Sequence, residues 1–372
     1  MVACCSRIDS YVMDYLENEE YIQGRGAQLV YQNRFLKQVY VQEHIEGIDE
    51  PWELNRKTRI FEEHPKKILN KVDSPDIGHA YSMNPYQGCE HGCIYCYARN
   101  THEYWGFSAG LDFEQKIIVK PDAAKILEHD LRRKNHMVFP IMFSGNTDCY
   151  QPIERKMKLT RQMLEVLLKF KHPASMITKN ALILRDKDIL QEMAKLRLVH
   201  VMVSITSLKE DLRQQMEPRT ATAKRRLQVI EELSKAGIQT GIMTAPIIPG
   251  LNSDEIPALI KAAADHGASM AGYTIVRLNG AIGPIFTDWV CKNYPDRADK
   301  VLNHIKEAHG GQLNDSRFGV RMHGEGKIVE SIRQMFTTSV NRYIKTKNRQ
   351  VYELDLTAFK VPRLDGQLGL FA

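Results

Sequence analysis

The chain of 372 residues contains no long apolar segment, no low-complexity tract and no internal repeat. A helix that crosses a bilayer needs about 20 consecutive apolar residues, and no such run is present. The first residues are acidic and lack the apolar stretch of a signal peptide. We therefore expect a cytoplasmic protein without a membrane partner. A hydrophobic content of 43% and a charged content of 26% are typical of a globular protein, in one large domain with additions or in two domains.

Cysteine is scarce, and its placement is uneven. Three of the seven cysteines, Cys89, Cys93 and Cys96, fall within the segment GCEHGCIYCYAR of residues 88–99. Thiolates this close in sequence can bind one common inorganic centre. No fourth cysteine stands nearby, so a [4Fe–4S] cluster held by these three would keep one iron open for an external ligand.

Other metal centres need a different set of ligands. A zinc site would take His91 or His102 as its fourth ligand, but structural zinc sites usually combine two separated ligand pairs, and no second pair follows. Attachment of a c-type haem would need histidine directly after Cys96, where Tyr97 stands. Zinc remains the alternative at this stage.

The positive charge is concentrated outside the amino-terminal region. The whole chain carries +6, whereas residues 1–50 carry −5, so the remainder carries +11. Basic clusters at 132–134, 224–226 and 345–349 contribute to this excess. A basic body is compatible with DNA or RNA as a partner, although each cluster alone is also explained as a solvated helix face.

Strands and helices are predicted to alternate from about residue 78. Such alternation indicates a parallel sheet, and in parallel barrels the active site lies at the carboxyl ends of the strands. Gly237 is expected to end one helix and Ser253 to cap the next. After residue 284 the alternation stops, and we divide the chain into an extension (1–75), a core (76–285) and a helical carboxyl-terminal subdomain (286–372). The predicted strands cover 80–83, 138–143, 174–178, 198–205, 238–243 and 273–276; the predicted helices cover 121–134, 156–170, 186–196, 221–235, 253–266, 288–309 and 325–343.

The spacing C-x3-C-x2-C, with the aromatic Tyr95 before the third cysteine, resembles that of the radical S-adenosylmethionine (SAM) superfamily. The resemblance implies an α/β fold, a partial (β/α)6 TIM-type barrel, which the alternation alone does not distinguish from a doubly wound sheet. It also implies a [4Fe–4S] cluster on the three cysteines, with SAM on the open iron and Tyr95 beside the adenine. A one-electron donor such as flavodoxin or ferredoxin would reduce the cluster, and SAM would then yield methionine and a 5′-deoxyadenosyl radical.

Further contacts to SAM are expected where the strands end. Ser144 and Thr147 follow the second barrel strand, at the place where the superfamily binds the amino group of SAM. Lys179 follows the third strand and is a candidate for neutralising the carboxylate of SAM. The hydroxyl of Ser204, at the fourth strand, suits the ribose, and Arg219 is a second carboxylate candidate. A polar turn and an exposed lysine are the plain alternatives for the first two places.

Within the superfamily the chain resembles the spore photoproduct lyase-like branch, whose members repair a thymine dimer in DNA. Those enzymes also carry tyrosine on both sides of the third cysteine, as Tyr95 and Tyr97 stand here, and a lysine matching Lys179. The resemblance implies that Tyr97 relays a hydrogen atom. Gly145 falls where the lyases have their hydrogen-donating cysteine; Cys149 is the nearby substitute, or else a small buried hydrophobic residue.

These observations predict a radical SAM enzyme. It would cleave SAM reductively and abstract a hydrogen atom from a substrate, with nucleic acid as the leading class and a lyase-like repair or a modification as the outcome. The alternative of another class is a zinc-binding module that recognises nucleic acid without catalysis.

Overall fold

The computed structural model describes residues 22–35, 57–76 and 81–363. Within them, six parallel strands lie side by side in the order in which they occur along the chain. A doubly wound sheet would reverse its strand order at a switch point, and this order does not reverse. The described residues form ten strands: β1 (Arg59–Glu62), β2 (Asn70–Lys71), β3 (Tyr81–Met83), β4 (Tyr86–Gln87), β5 (Lys116–Val119), β6 (Ile141–Phe143), β7 (Ala174–Thr178), β8 (Val199–Ser204), β9 (Gln239–Ile247) and β10 (Met270–Ile275).

The main sheet has the order β10-β9-β8-β7-β6-β3-β2, and only the pair β2–β3 is antiparallel. Its two edges, β10 and β2, do not pair with each other, so the described sheet is an open barrel. A second sheet, β1-β5-β4, stands beside the cysteine segment. The predicted α/β fold with a partial (β/α)6 barrel is confirmed.

Helices connect the barrel strands, and each buries one face. In the fourth helix the buried side chains Leu159, Met163, Leu167 and Phe170 recur every three or four residues, which is the spacing of one helix face. The helices are α1 (Asp112–Gln115), α2 (Ala123–Leu131), α3 (Glu154–Met157), α4 (Leu159–Phe170), α5 (Lys187–Lys195), α6 (Glu210–Met216), α7 (Ala223–Lys235), α8 (Ile256–Asp265), α9 (Ile282–Asn293), α10 (Ala298–Ala308) and α11 (Lys327–Tyr343); 3-10 helices span Tyr97–Trp105, Ala181–Asp186, Ser253–Glu255 and Lys345–Lys347.

Two predicted helices are interrupted in the structure. The helix expected over 156–170 breaks at Lys158, which has a left-handed backbone (φ 54°), because the buried carboxylate of Glu154 accepts the amides of Leu159 (3.0 Å) and Thr160 (3.2 Å) and so caps α4. The helix expected over 288–309 is two helices, α9 and α10, with a turn between them at 294–297 that contains a proline.

The two predicted helix boundaries at glycine and serine have opposite outcomes. Gly237 ends α7 with a positive φ of 77°, as predicted, and its amide bonds to the carbonyl of Ser234 (3.0 Å). Ser253 does not cap α8, which begins three residues later at Ile256; its hydroxyl instead accepts the amide of Gly250 (3.2 Å).

The carboxyl-terminal part of the described chain covers two surfaces of the barrel. Helix α11 packs on α8, while α9 contacts the 3-10 helix Tyr97–Trp105 that follows the cysteines. The segment 351–363 crosses the amino ends of the strands, where the hydroxyl of Tyr352 donates to the carbonyl of Val199 (3.0 Å) and the backbone amide of Asp355 donates to that of Arg197 (2.9 Å). The division into 1–75, 76–285 and 286–372 stays a prediction. No helix in the described ranges has the length and apolar character needed to cross a membrane.

Candidate active site

The three cysteines lie on a loop at the carboxyl end of the first barrel strand. Positive φ values at Gly88 (74°) and Gly92 (68°) allow the tight turns of this loop. The amide of Cys89 donates to the carbonyl of Phe113 (2.9 Å), and the amide of Cys96 donates to that of Cys93 (3.3 Å). Cys89 and Cys93 are buried, Cys96 is half-buried, and none of the three forms a disulfide.

A buried ion pair supports the loop from behind. The guanidinium of Arg99 donates to the carbonyl of Cys93 (3.0 Å) and to the carboxylate of Glu114 (2.5 Å), and both side chains are fully buried. Glu114 also accepts the amides of Gly26 (3.1 Å) and Ala27 (2.8 Å), so a segment far away in sequence closes the same network. Sequence reasoning missed this support; the only signal was Arg99 at the end of the cysteine segment.

Close packing at two glycines keeps that distant segment against the loop. A Cβ atom on Gly26 would stand 1.7 Å from the carbonyl oxygen of Gly92, and one on Gly92 would stand 2.8 Å from the carboxylate of Glu114. Any side chain at Gly26 would therefore push the segment away from the cysteine loop.

The three thiols share one electrostatic environment. Burial raises the pKa of Cys89, and negative charge at Asp148 and at the other two cysteines raises it further. Burial likewise raises the pKa of Cys93, with Glu217 adding to the shift and Lys179 opposing it. Three neighbouring thiolates are unfavourable without a positive charge among them, and bound iron would supply that charge.

The ligand set fits an iron–sulfur cluster better than a single ion. Ligands of one zinc ion must all lie within about 2.3 Å of the same atom, whereas each cysteine of a four-iron cluster binds a different iron. In the described ranges no three His, Cys, Asp or Glu side chains converge on one ion position. His91 contacts Asp148 (3.4 Å) and Asn180 (3.2 Å), and His102 lies between aromatic rings. Neither His91 nor His102 is therefore placed as a fourth zinc ligand beside the cysteines.

The aromatic residue between the cysteines belongs to a second buried network. The hydroxyl of Tyr95 donates to the carboxylate of Glu217, which also accepts Thr206 (2.8 Å) and pairs with Arg226 (2.6 Å). Burial alone would raise the pKa of Glu217, but Arg226 and Lys179 outweigh it and lower the pKa to about 2. Arg226, taken from the sequence as part of a basic surface cluster, is fully buried, and that interpretation is wrong for this residue.

Two of the predicted SAM contacts lie together beside this network. The ammonium group of Lys179 donates to the hydroxyl of Ser204 (2.9 Å) and lies 5.9 Å from the centroid of the Tyr95 ring. The Ser204 hydroxyl in turn donates to the carbonyl of Ala245 (3.3 Å). Residues from three separate parts of the sequence thus meet at one place: Cys93 and Tyr95 from the cysteine segment, Lys179 and Ser204.

The loop after β6 is held by its own side chains. Ser144 has a left-handed backbone (φ 64°), and its hydroxyl accepts the amide of Cys149 (2.9 Å). The hydroxyl of Thr147 donates to the carbonyl of Tyr86 (2.8 Å). Asp148 accepts the amide of Lys179 (2.7 Å), which connects this loop to the next strand end. The hydroxyls of Ser144 and Thr147 therefore hold the loop in shape.

The remaining predicted residues lie farther from the cluster of contacts around Lys179. Tyr97 is 52% exposed, and its hydroxyl donates to the carbonyl of Gly145 at the mouth of the barrel. Cys149 is fully buried in the main hydrophobic core, and burial raises its pKa. Arg219 lies at the rim, 3.9 Å from the carboxylate of Glu90.

Comparisons with known proteins agree with this geometry. The profile of the radical SAM superfamily matches residues 83–263. An uncharacterized protein of Mycobacterium tuberculosis is 33% identical over 237 residues, which are 62% of this chain and 69% of that protein. An uncharacterized protein of Methanocaldococcus jannaschii is 30% identical over 198 residues, which are 53% of this chain and 71% of that protein.

Among solved structures, spore photoproduct lyase complexed with dinucleoside spore photoproduct superposes with a TM-score of 0.57. The match covers 81% of this chain and 85% of that one at 16% identity, so the likeness concerns the fold. The open parallel barrel with three cysteines at its mouth defines the class of fold, a barrel whose functional residues lie at the carboxyl ends of the strands. The chain belongs to the radical SAM superfamily.

Proposed function

We propose that the protein cleaves SAM reductively at a [4Fe–4S] cluster on Cys89, Cys93 and Cys96 and abstracts a hydrogen atom from its substrate. The observation that carries this proposal is the meeting of Cys93 with Tyr95, Lys179 and Ser204 at the strand ends. When bound and reduced by one electron, the cluster and SAM supply methionine and a 5′-deoxyadenosyl radical.

The protein groups would bind and orient the cofactor. The Lys179 ammonium is a donor for the carboxylate of SAM, and the Ser204 hydroxyl is a partner for its ribose. The loop of Ser144 and Thr147 offers oxygen acceptors to its amino group. Tyr95, buried and held by Glu217, offers a fixed ring surface to the adenine. Arg219 at the rim is a lesser candidate for the carboxylate.

Tyr97 is the proposed hydrogen-atom relay, because its ring stands half-exposed at the mouth of the barrel. Cys149 is a weaker candidate, since it is enclosed by the core. We place the enzyme in the cytoplasm with a flavodoxin-like or ferredoxin-like electron donor, because the cluster must be reduced by one electron before SAM is cleaved.

Nucleic acid is the proposed substrate class, for a lyase-like repair or a modification. Two observations support it: the net charge of +11 outside residues 1–50, and the fold shared with a lyase whose structure holds a dinucleoside photoproduct. A basic protein attracts polyanions at a distance.

The test is anaerobic. The protein is loaded with iron and sulfide, mixed with dithionite and SAM, and 5′-deoxyadenosine is measured by chromatography beside bound iron and acid-labile sulfide. We expect about four irons per chain and nucleoside product. Cys93→Ala should lose both. Bound zinc without iron, and no product, would contradict the proposal.

Nucleic-acid extracts added to the same reaction test the substrate class. We expect the extracts to increase the formation of 5′-deoxyadenosine above the level seen without them. Treating the extracts with nuclease should abolish that increase.

A further inference from the structure

A second concave site lies at the mouth of the barrel, beside the residues proposed for SAM. It is a cavity of about 360 Å³ lined by Gln87, Thr101, Tyr104, Trp105 and Asn146, which we name the aromatic cradle. Small-molecule sites are commonly about 300–1,000 Å³, so the cradle has room for one planar ring system rather than a large ligand. None of its five residues has a role in the proposed cofactor site.

The aromatic side chains of the cradle are unusually exposed. Tyr104 is 71% exposed and Trp105 is 38% exposed, and both stand at the end of the 3-10 helix Tyr97–Trp105. That helix stops at Gly106, which has a positive φ of 77°. Exposed aromatic rings on a rigid support offer stacking surfaces to another ring.

Two amide side chains of the cradle leave hydrogen-bonding capacity unused. The Gln87 carbonyl accepts the indole N–H of Trp105, and the amide N–H2 of Asn146 reaches the Thr101 hydroxyl at 3.4 Å. The Nε2 donor of Gln87 and the Oδ1 acceptor of Asn146 have no hydrogen-bond partner within 22–35, 57–76 and 81–363. A donor and an acceptor beside a stacking surface match the polar edge of a nucleobase.

A cation stands at the rim of the cradle. The guanidinium of Arg34 lies 5.9 Å from the centroid of the Tyr104 ring and 4.8 Å from that of Phe35, and its side chain is 51% exposed. It also contacts the carboxylate of Glu103 at 3.2 Å, which holds it in place. An exposed guanidinium beside a base-stacking surface suits the phosphate of the same nucleotide.

The cradle is continuous with the proposed reaction site. Thr101 stands four residues after Tyr97 on the same 3-10 helix, and both contact one loop: the Tyr97 hydroxyl binds the carbonyl of Gly145, and Thr101 contacts the next residue, Asn146. A strand that places one nucleotide near Tyr97 therefore brings an adjacent nucleotide to the cradle.

We propose that the aromatic cradle binds a base next to the reacting nucleotide of a single-stranded or locally opened nucleic acid. This inference rests on the proposed function for its substrate class and names a subsite of the same site. Tyr104 and Trp105 stack on the base, Gln87 and Asn146 contact its edge, and Arg34 contacts its phosphate.

The experiment measures binding of fluorescein-labelled single strands of DNA and RNA, about 12 nucleotides long, by anisotropy. The full-length, iron-loaded chain is compared with Tyr104→Ala, Tyr104→Phe and the matched control Phe139→Ala. Phe139 is 39% exposed and precedes β6, at the opposite end of the barrel. Circular dichroism and melting temperature establish that each variant is folded.

We expect Tyr104→Ala to raise the Kd about tenfold, because loss of one stacked base typically has an effect of that order. Tyr104→Phe and Phe139→Ala should bind like the wild type. The slope of log Kd against log salt should not change in Tyr104→Ala, since the phosphate contacts remain. Binding should also quench tryptophan emission, and Trp105→Phe should remove most of that change.

Equal Kd values for Tyr104→Ala and the wild type, or an equal loss in Phe139→Ala, would overturn the inference. So would a wild type that binds neither strand. Formation of 5′-deoxyadenosine is measured on the same preparations without nucleic acid. Product without binding contradicts the cradle alone, whereas tight, Tyr104-dependent binding by a protein without iron or product contradicts the proposed reaction alone.

Discussion

The two ends of the barrel bury titratable groups in opposite ways. At the carboxyl end, Glu217 and Arg226 are fully buried as a charged pair 2.6 Å apart, with Lys179 nearby. At the amino end, His136 and His172 are held neutral, because burial lowers the pKa of both. The carboxyl end therefore keeps its buried pair charged, whereas the histidine pair at the amino end stays neutral. The charges at the carboxyl end lie beside the cysteine loop, where their electric field can act on a charged cofactor.

The histidine pair has a defined arrangement of protons. The Nδ1 atom of His172 lies 2.9 Å from the carbonyl of Pro173, so it must donate its hydrogen there. The Nε2 atom of neutral His172 is then an acceptor, and it accepts from Nε2 of His136 at 2.9 Å. Phe359, from the carboxyl-terminal segment, packs against both rings. Protonation of His172 would break this arrangement.

The largest loss of stability is expected when the buried ion pair behind the cysteine loop is broken. Glu114→Ala leaves the Arg99 guanidinium buried without its partner and two backbone amides without their acceptor. Breaking a buried ion pair in this way typically costs about 3–5 kcal/mol of unfolding free energy. Urea unfolding at neutral pH measures it. The control Glu231→Ala removes a solvent-screened surface pair with Lys235 and should leave the free energy of unfolding nearly unchanged. Equal losses in the two variants would show that Glu114 does not support the loop.

The charged end should respond to acid only at low pH. The pKa of Glu217 is about 2 in the folded protein against an ordinary 4.5, so its stabilising contribution is complete above pH 4.5 and declines as the pH falls toward 2. The shift corresponds to about 3 kcal/mol. The free-energy difference between the wild type and Glu217→Gln should therefore be largest at pH 7 and shrink below pH 4.5. A difference that stays constant down to pH 3 would contradict the assignment of charge.

On acidification, the stability contributed by the amino end should decline at a higher pH than that contributed by the carboxyl end. The pKa of His172 is about 4 in the folded protein against an ordinary 6.5, so its contribution is complete above pH 6.5 and declines as the pH falls toward 4. At most about 3 kcal/mol is lost over this interval. His172→Phe should flatten the dependence of unfolding free energy on pH between 6.5 and 4. The flattening should be partial, because burial also lowers the pKa of His102 to about 4. An unchanged slope would show that the pair does not titrate there.

The order and type of the barrel elements could be predicted from the sequence, because each buried strand and amphipathic helix carries its own local pattern. β7 has the bounds predicted for it, 174–178. The break at Lys158 could not be predicted, since it depends on the carboxylate of Glu154 reaching the start of α4. Local patterns contain no information on such a tertiary cap.

The candidate site shows the same limit. The cysteines were evident from their spacing, and Lys179 and Ser204 were each predicted at a strand end; their contact with each other is seen in the structure alone. The burial of Arg226 was missed, because in the sequence it is one of three consecutive basic residues. What sets it apart from its neighbours is its contact with Glu217, which is seen only in the fold. The contact of Gly26 with the cysteine loop joins positions too far apart in sequence for any local signal to indicate it.

The smallest expected effect tests whether the field at the carboxyl end acts on the cofactor. Lys179→Met removes the ammonium beside Ser204 and keeps most of the side-chain volume. A charge-assisted hydrogen bond typically contributes about 1.5–3 kcal/mol, so the Kd for SAM should rise at least about tenfold. Anaerobic equilibrium dialysis with labelled SAM measures it on iron-loaded protein.

The matched control is Lys261→Met, which removes an exposed lysine that pairs with Asp265 at the end of α8 and should leave the Kd unchanged. An equal Kd for Lys179→Met and the wild type, with the cluster intact, would mean that the ammonium does not contact SAM. The charges around Glu217 would then serve only to hold Tyr95 and the strand ends together, and the contrast between the two ends of the barrel would concern stability rather than cofactor binding.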